Sequence, residues 1–123
     1  MISHLDHLVL TVSDIEASVH FYTRVLKMTP ITFGHGRKAL VFGRQKINLQ
    51  LLGQESRNRA QVGSGDLCLI TNWSMDRVIQ HLTEQDVDIL EGPCTRSGAQ
   101  GPIQSVYFCD PDRNLIEISS YET

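Results

Sequence analysis

The run HLDHLVLTVSDIEASVHFYTRVL, from His4 to Leu26, decides how the rest of the chain is read. Its first part, His4 to Val12, is rich in Leu and Val and predicts a β-strand. Ser13-Asp14-Ile15-Glu16 then has the form of a capping box, in which the Ser13 hydroxyl accepts from the Glu16 amide while the Glu16 side chain reaches back. Beyond it Ile15, Val19, Tyr22 and Leu26 recur at helical spacing, one apolar stripe of an amphipathic helix. The opening unit is therefore a strand, a cap and a helix.

Working outward, the helix should stop before Pro30, and Met28 to Phe33 reads as a short strand that Pro30 confines to a sheet edge. Gly34 and Gly36 turn the chain. Lys38 to Phe42 and Ile47 to Leu52 follow as strands, with Gly43-Arg44-Gln45-Lys46 as the turn between them. The stretch from Gly53 to Gly65 is polar and reads as a linker. After it the order repeats. Asp66 to Thr71 is a strand, and Ser74 caps a second helix with the stripe Met75, Val78, Ile79 and Leu82. Val87 to Leu90 reads as a short strand and Gly92 to Pro102 as a Gly/Pro-rich connection. Ile103 to Phe108 and Asn114 to Ser120 are the last strands, joined by the turn Asp110-Pro111-Asp112-Arg113. The expectation is an α+β fold in a single domain, residues 1–123. It has two βαβββ modules forming a curved mixed sheet around a central cleft: half one at about 1–53, a linker at about 54–65, and half two at about 66–123.

The bulk properties agree with one domain. A chain of 123 residues, 41% hydrophobic, folds around a core without disulfide staples. Its three cysteines, Cys68, Cys94 and Cys109, are widely spaced with no CxxC pair, which argues against a zinc knuckle or a secreted scaffold and fits a reducing cytoplasm. The start MISHLDHLVLTV has no positively charged leader region, and its apolar run is broken by Asp6 and His7, so neither a signal peptide nor a membrane span is expected in it. A net charge of −3 with scattered Lys and Arg leaves no footprint for nucleic acid.

Laid strand on strand, His7-Leu8-Val9-Leu10 matches Asp66-Leu67-Cys68-Leu69. Ile47-Asn48-Leu49-Gln50-Leu51 likewise matches Asn114-Leu115-Ile116-Glu117-Ile118. Each half thus offers one polar residue from its first strand and one from its last. Any of the four taken singly fits a residue pointing at water. Taken together, pseudo-symmetric halves would gather His7, Gln50, Asp66 and Glu117 around one axis. Imidazole, amide oxygen and two carboxylates suit a divalent ion such as Ni²⁺, Co²⁺, Mn²⁺, Zn²⁺ or Fe²⁺.

Three motifs carry a resemblance. They are Leu5-Asp6-His7-Leu8-Val9-Leu10 at the start, Ser18-Val19-His20-Phe21-Tyr22-Thr23-Arg24-Val25-Leu26 on the first helix, and Phe108-Cys109-Asp110-Pro111-Asp112-Arg113-Asn114-Leu115-Ile116-Glu117 near the end. On these the chain resembles, over essentially its whole length, the vicinal oxygen chelate superfamily of glyoxalases, bleomycin-resistance proteins and extradiol dioxygenases. The stretch from Gly92-Pro93 to Gly101-Pro102-Ile103 further resembles small glyoxalase-domain proteins, including bacterial members labelled virulence-associated or lactoylglutathione-lyase-like. The resemblance implies metal ligands at His7, Gln50, Asp66 and Glu117. His7 and Glu117 match the usual residues, Gln50 stands where Glu or His is commoner, and Asp66 stands where His is commonest.

The resemblance also implies a chemistry. The metal chelates two neighbouring substrate oxygens and stabilises an enediolate or related anion, with a carboxylate moving the proton. Glu117 is the candidate general base. Arg96, in the glycine-rich run Arg96-Ser97-Gly98-Ala99-Gln100-Gly101, and Arg37 are the candidate substrate contacts. The reading is a metal-dependent lyase or isomerase of the glyoxalase type acting on a small oxygen-rich or thiol-conjugated metabolite, in a homodimer. The alternatives are an Fe-dependent dioxygenase-like enzyme and a non-catalytic, resistance-type ligand-binding protein. No glutathione pocket is recognisable. Cys68 and Cys109 are expected to be inert apolar fillers, and His4, His20, His35 and His81 to face solvent.

Overall fold

The computed structural model describes residues 1–122. Two compact units make up the chain, the first running from Met1 to Gly65 and the second beginning at Asp66.

In the first unit the order is β1 (His7–Val12), α1 (Ile15–Leu26), β2 (Thr29–Phe33), β3 (Arg37–Phe42) and β4 (Gln45–Leu51). The sheet order is β1-β4-β3-β2, with β1 and β4 parallel and the other pairs antiparallel. Pro30 sits on β2, at the sheet edge, where its missing N–H breaks no ladder. The helix is capped one residue later than the capping box predicts: Asp14 Oδ1, not Ser13, accepts from the Ala17 amide at 3.0 Å. The aspartate adds negative charge to the positive end of the helix. Its buried side is Ser18, Phe21, Tyr22 and Val25, so the packing stripe is rotated from the Ile15–Val19–Leu26 line, whose members are only half-buried. Leu10, Val12, Ile47 and Leu49 are buried on one face of β1 and β4. Strand alternation puts His7, Val9, Thr11, Lys46, Asn48 and Gln50 on the other face. The turn between β3 and β4 is tighter than expected, only Gly43 and Arg44, with Gly43 at φ 54°.

In the second unit the order is β5 (Asp66–Ile70), α2 (Met75–Glu84), β6 (Glu91–Gly98), β7 (Gly101–Cys109) and β8 (Leu115–Ser120), with sheet order β5-β8-β7-β6. Here β5 and β8 are parallel, and β8–β7 and β7–β6 antiparallel. Ser74 caps α2 as expected, accepting from the Arg77 amide at 3.2 Å. Val78 and Leu82 on the helix, and Val106, Phe108, Ile116 and Ile118 on the sheet, are buried. Two expectations fail in this unit. Val87 to Leu90 forms no strand. The Gly/Pro-rich run from Gly92 onward is not a connection but most of β6, which pairs with β7 through Cys94↔Ser105, Arg96↔Ile103 and Gly98↔Gly101. Pro93 is tolerated because β6 is the outer strand and its register shifts between Glu91 and Cys94. Gly92 is required by contact: a Cβ there would stand 2.4 Å from the Ser105 carbonyl oxygen.

The turn before β8 is built by one side chain. Asp110 Oδ1 accepts from the amides of Asp112 and Asn114, both at 2.9 Å, and Oδ2 accepts from Asn114 Nδ2 at 2.8 Å. This cage sets where β8 begins, and hence which of its residues face the open side of the sheet.

Candidate functional site

Each unit carries a cavity on the face of its sheet opposite the buried core. In the first unit it holds about 130 Å³ and is lined by His7, Val9, Phe33, Arg37, Asn48, Gln50 and the segment bearing Gln54, Glu55, Arg57 and Asn58. Three residues expected from the sequence, His7, Gln50 and Arg37, therefore come together. His7 Nδ1 pairs with Asp6 Oδ2 at 2.8 Å, which holds Asp6 below the usual carboxylate range. A carboxylate on Nδ1 directs Nε2, as the bare acceptor, toward a ligand, the arrangement common to metal-binding histidines. Arg37 lies over the Phe33 ring at 4.8 Å, with Lys46 Nζ at 3.7 Å from the same centroid.

Gln50 is buried, at 4% exposure, and its amide is in use at both ends. Nε2 donates to Thr11 Oγ1 at 2.8 Å and to Asn58 Oδ1 at 3.2 Å, while Oε1 accepts from Asn58 Nδ2 at 3.4 Å. Asn48 shows the opposite state. Its Oδ1 is screened from solvent and has no hydrogen-bond partner among the described residues. Such an acceptor typically costs about 1–3 kcal/mol.

In the second unit the cavity holds about 390 Å³ and is lined by Cys68, Ile70, Arg96, Ser97, Gly98, Ala99, Ile103, Tyr107, Glu117 and Tyr121. Arg96 and Glu117, both expected from the sequence, share it. Arg96 reaches it from a strand rather than a loop. Its Nε donates to Tyr107 Oη at 3.2 Å, and one terminal nitrogen pairs with Glu91 at 2.6 Å. Tyr107 lies directly across from Glu117 in the β7–β8 register. Desolvation pushes the Tyr107 hydroxyl up from its ordinary value, the bond from Arg96 pulls it down, and the neighbouring Glu117 carboxylate pushes it up again.

Behind Glu117 lies a small network. Ser119 Oγ donates to Glu117 Oε2 at 3.2 Å. A hydroxyl has one proton to give, so the 2.6 Å contact between Ser105 and Ser119 and the 3.3 Å contact from Cys68 Sγ are both donated to Ser119. Cys68 is thus not an apolar filler: it is exposed, it lines the cavity, and burial of its sulfur is the leading cause that pushes its thiol up, with Glu117 adding to it against the Ser119 bond.

Asp66 opens β5, exposed and outside both cavities, two residues before Cys68. Among the described residues, no three His, Cys, Asp or Glu side chains gather as a ready-made metal cluster. The donor chemistry at His7 and Glu117 fits a divalent ion, since each keeps one atom engaged by a supporting partner. Gln50 differs in that both ends of its amide are already hydrogen-bonded. Ser119, Thr11, Asn48 and Asn58 were not singled out from the sequence. Alternation along β7 and β8 would have placed Tyr107 and Ser119 on the Glu117 face once the β7–β8 register was known.

Paired strand–helix–three-strand units with a polar residue on the open face of each last strand are the architecture of a glyoxalase-like protein. The chain belongs to the Glyoxalase/Bleomycin resistance protein/Dioxygenase superfamily, which it matches over residues 4–118. It is similar to the Virulence protein STM3117 of Salmonella typhimurium, at 48% identity over 98% of this chain and 86% of that protein. The crystal structure of STM3117 superimposes with a TM-score of 0.94 over 98% of each chain. An integron cassette protein of V. cholerae, VCH_CASS1, is 54% identical with a TM-score of 0.95, over 99% of this chain and 98% of that one. Metallothiol transferase FosB of Shouchella clausii is 26% identical over 96% of this chain and 80% of that protein. Among the described residues no helix is long and apolar enough to cross a membrane.

Proposed function

We propose that this chain is a divalent-metal-dependent lyase or isomerase of the glyoxalase type, acting on a small oxygen-rich or thiol-conjugated metabolite. Candidate donors for the ion are His7 within the first unit and, within the second, Glu117 and the exposed Asp66. The observation that carries the reading is Glu117, set on a strand in a 390 Å³ cavity with one carboxylate oxygen held by Ser119. The name of FosB, a metallothiol transferase, supports both the metal and a thiol-bearing substrate.

When bound, the metal supplies Lewis acidity toward two neighbouring substrate oxygens. The rest falls to the chain's own residues. Glu117 is the general base: Ser119 holds Oε2, so the carboxylate has one orientation from which to take a proton from the substrate carbon. Tyr107 stays protonated at neutral pH. With Arg96 donating to its oxygen, its own O–H is available to a substrate oxygen or to Glu117. Arg96, already paired with Glu91, positions Tyr107 and adds positive charge to the cavity rim. Arg37 adds positive charge to the first unit's cavity. The second copy expected of a homodimer supplies an identical set of donors.

The test is elemental analysis of protein purified without chelator, followed by a hemithioacetal isomerisation assay with Ni²⁺, Co²⁺, Mn²⁺ and Zn²⁺. The expected result is close to one metal ion per chain and turnover that Glu117→Gln abolishes while the circular dichroism is unchanged. Protein without stoichiometric metal or turnover overturns the reading. Iron with oxygen consumption moves the chain to the dioxygenase class.

A further inference from the structure

We infer that Asn48, not Gln50, is the residue by which the last strand of the first unit meets the divalent ion, and that Gln50 instead fastens the polar segment after β4 to the sheet. This rests on the metal-enzyme reading above. Two structural observations and one point of chemistry carry it.

The first is register. His7 is the partner of Lys46 in the parallel β1–β4 pair, so the residue two further along β4 is Asn48. Asp66 is the partner of Leu115 in the parallel β5–β8 pair, so the residue two further along β8 is Glu117. With His7 matched to Asp66, the counterpart of Glu117 is therefore Asn48. Gln50 lies one pleat beyond, on the same face.

The second is the state of the two amides. Gln50 spends both ends of its side chain on Thr11 and Asn58. Asn48 keeps a screened oxygen with no partner among the described residues, in the cavity that His7 lines. The third is chemistry: a carboxamide oxygen is a neutral, hard donor, suited to a divalent ion that draws its negative charge from carboxylates elsewhere. The Gln50–Asn58 pair explains the other residue. It ties the segment carrying Glu55, Arg57 and Asn58 across the buried end of β4.

The experiment titrates metal-stripped full-length protein with Mn²⁺ alone, reading free Mn²⁺ by electron paramagnetic resonance, for wild type, Asn48→Ala, Asn48→Asp and Gln50→Ala. Folding is checked by circular dichroism, and trypsin cleavage after Arg57 and Arg59 is timed in parallel. Asn48→Ala should weaken Mn²⁺ binding by roughly tenfold or more, the scale of losing one supporting group at a metal. Asn48→Asp should tighten it. Gln50→Ala should leave the affinity within about twofold while trypsin cuts several times faster, since a lost tether raises the open population. The inference is overturned if wild type binds and either Asn48→Ala binds equally well or Gln50→Ala is the variant that loses Mn²⁺. Should Asn48→Ala fail to fold, Asn48→Asp decides alone: an unchanged or weaker affinity overturns the inference. If wild type itself binds no Mn²⁺, the metal-enzyme reading falls and this assignment with it.

Discussion

The Ser119 hydroxyl stands 3.2 Å from Glu117 Oε2, and it is itself saturated from behind by Ser105 and Cys68. The carboxylate is thus oriented by a group that has no freedom to turn away. Ser105 and Ser119 are both fully buried, so their bond is not shared with solvent.

Replacing Ser119 by Ala should release Glu117 and leave the Ser105 hydroxyl and the Cys68 thiol without their acceptor. The expected cost is about 1–2 kcal/mol in urea denaturation, from one buried donor left unmade. In the hemithioacetal assay kcat should fall more than KM rises, because the substrate is still bound but the base is no longer aimed. Equal stability and equal kcat would remove Ser119 from any positioning role.

Cys68 reports the charge state of the cavity. Burial and the Glu117 carboxylate both hold its thiol above the ordinary value. The thiolate is the reactive species, so alkylation at pH 8 should run slower than for free cysteine and accelerate only as pH rises further. Because the folded value is raised, the associated stability is complete below the unfolded value and is lost as pH rises through the folded one. In a Cys94→Ser, Cys109→Ser background, Glu117→Gln should speed the labelling and Ser119→Ala should slow it. Mass spectrometry of a timed iodoacetamide series reads both.

Asp110 should be the costliest turn residue to lose. Asp110→Ala removes three hydrogen bonds to buried or half-buried groups, two of them from the fully buried Asn114. A loss of about 2–4 kcal/mol in urea denaturation is expected, from a network broken inside a low-dielectric site. A loss below 1 kcal/mol (roughly a single surface hydrogen bond) would mean that the turn is held by the backbone alone.

Gly92→Ala should be strongly destabilising for two reasons that act together. The backbone stands at φ 102°, and the new Cβ would lie 2.4 Å from the Ser105 oxygen and 3.0 Å from the Val106 Cα. Since both neighbours are backbone, the outer strand has to move away from β7. A loss above about 1 kcal/mol in thermal or urea unfolding is expected, accompanied by faster amide exchange along β6. A wild-type exchange pattern would contradict it.

The strand–helix order was legible because it is local. Apolar periodicity, the Ser74 cap and the Pro30 edge strand each act within a few residues. The structure agrees with the cap and the edge strand and with the presence of both helices, though the α1 stripe that packs is rotated from the expected one. The cap shift from Ser13 to Asp14 is a contest between adjacent side chains for the same amides, which residue pattern alone does not resolve. The β6 strand was missed because its Gly and Pro content reads as a connection. Its partner lies across a two-residue turn at Ala99 and Gln100, and the pairing with β7 overrides the local signal.

The opening run from His4 to Leu26, its repetition after Gly65, and the identity of His7 and Glu117 as candidate donors were determined by sequence alone. Which polar residue of β4 is the register counterpart of Glu117 on β8 was decided only by the tertiary structure. A register slip of one residue would turn the buried face to water, so the apolar pattern excludes it. A difference of two keeps every side chain on its own face, and Asn48 and Gln50 satisfy the same pattern equally well. Only the hydrogen bonds between β1 and β4, formed between residues some forty positions apart in the chain, separate them.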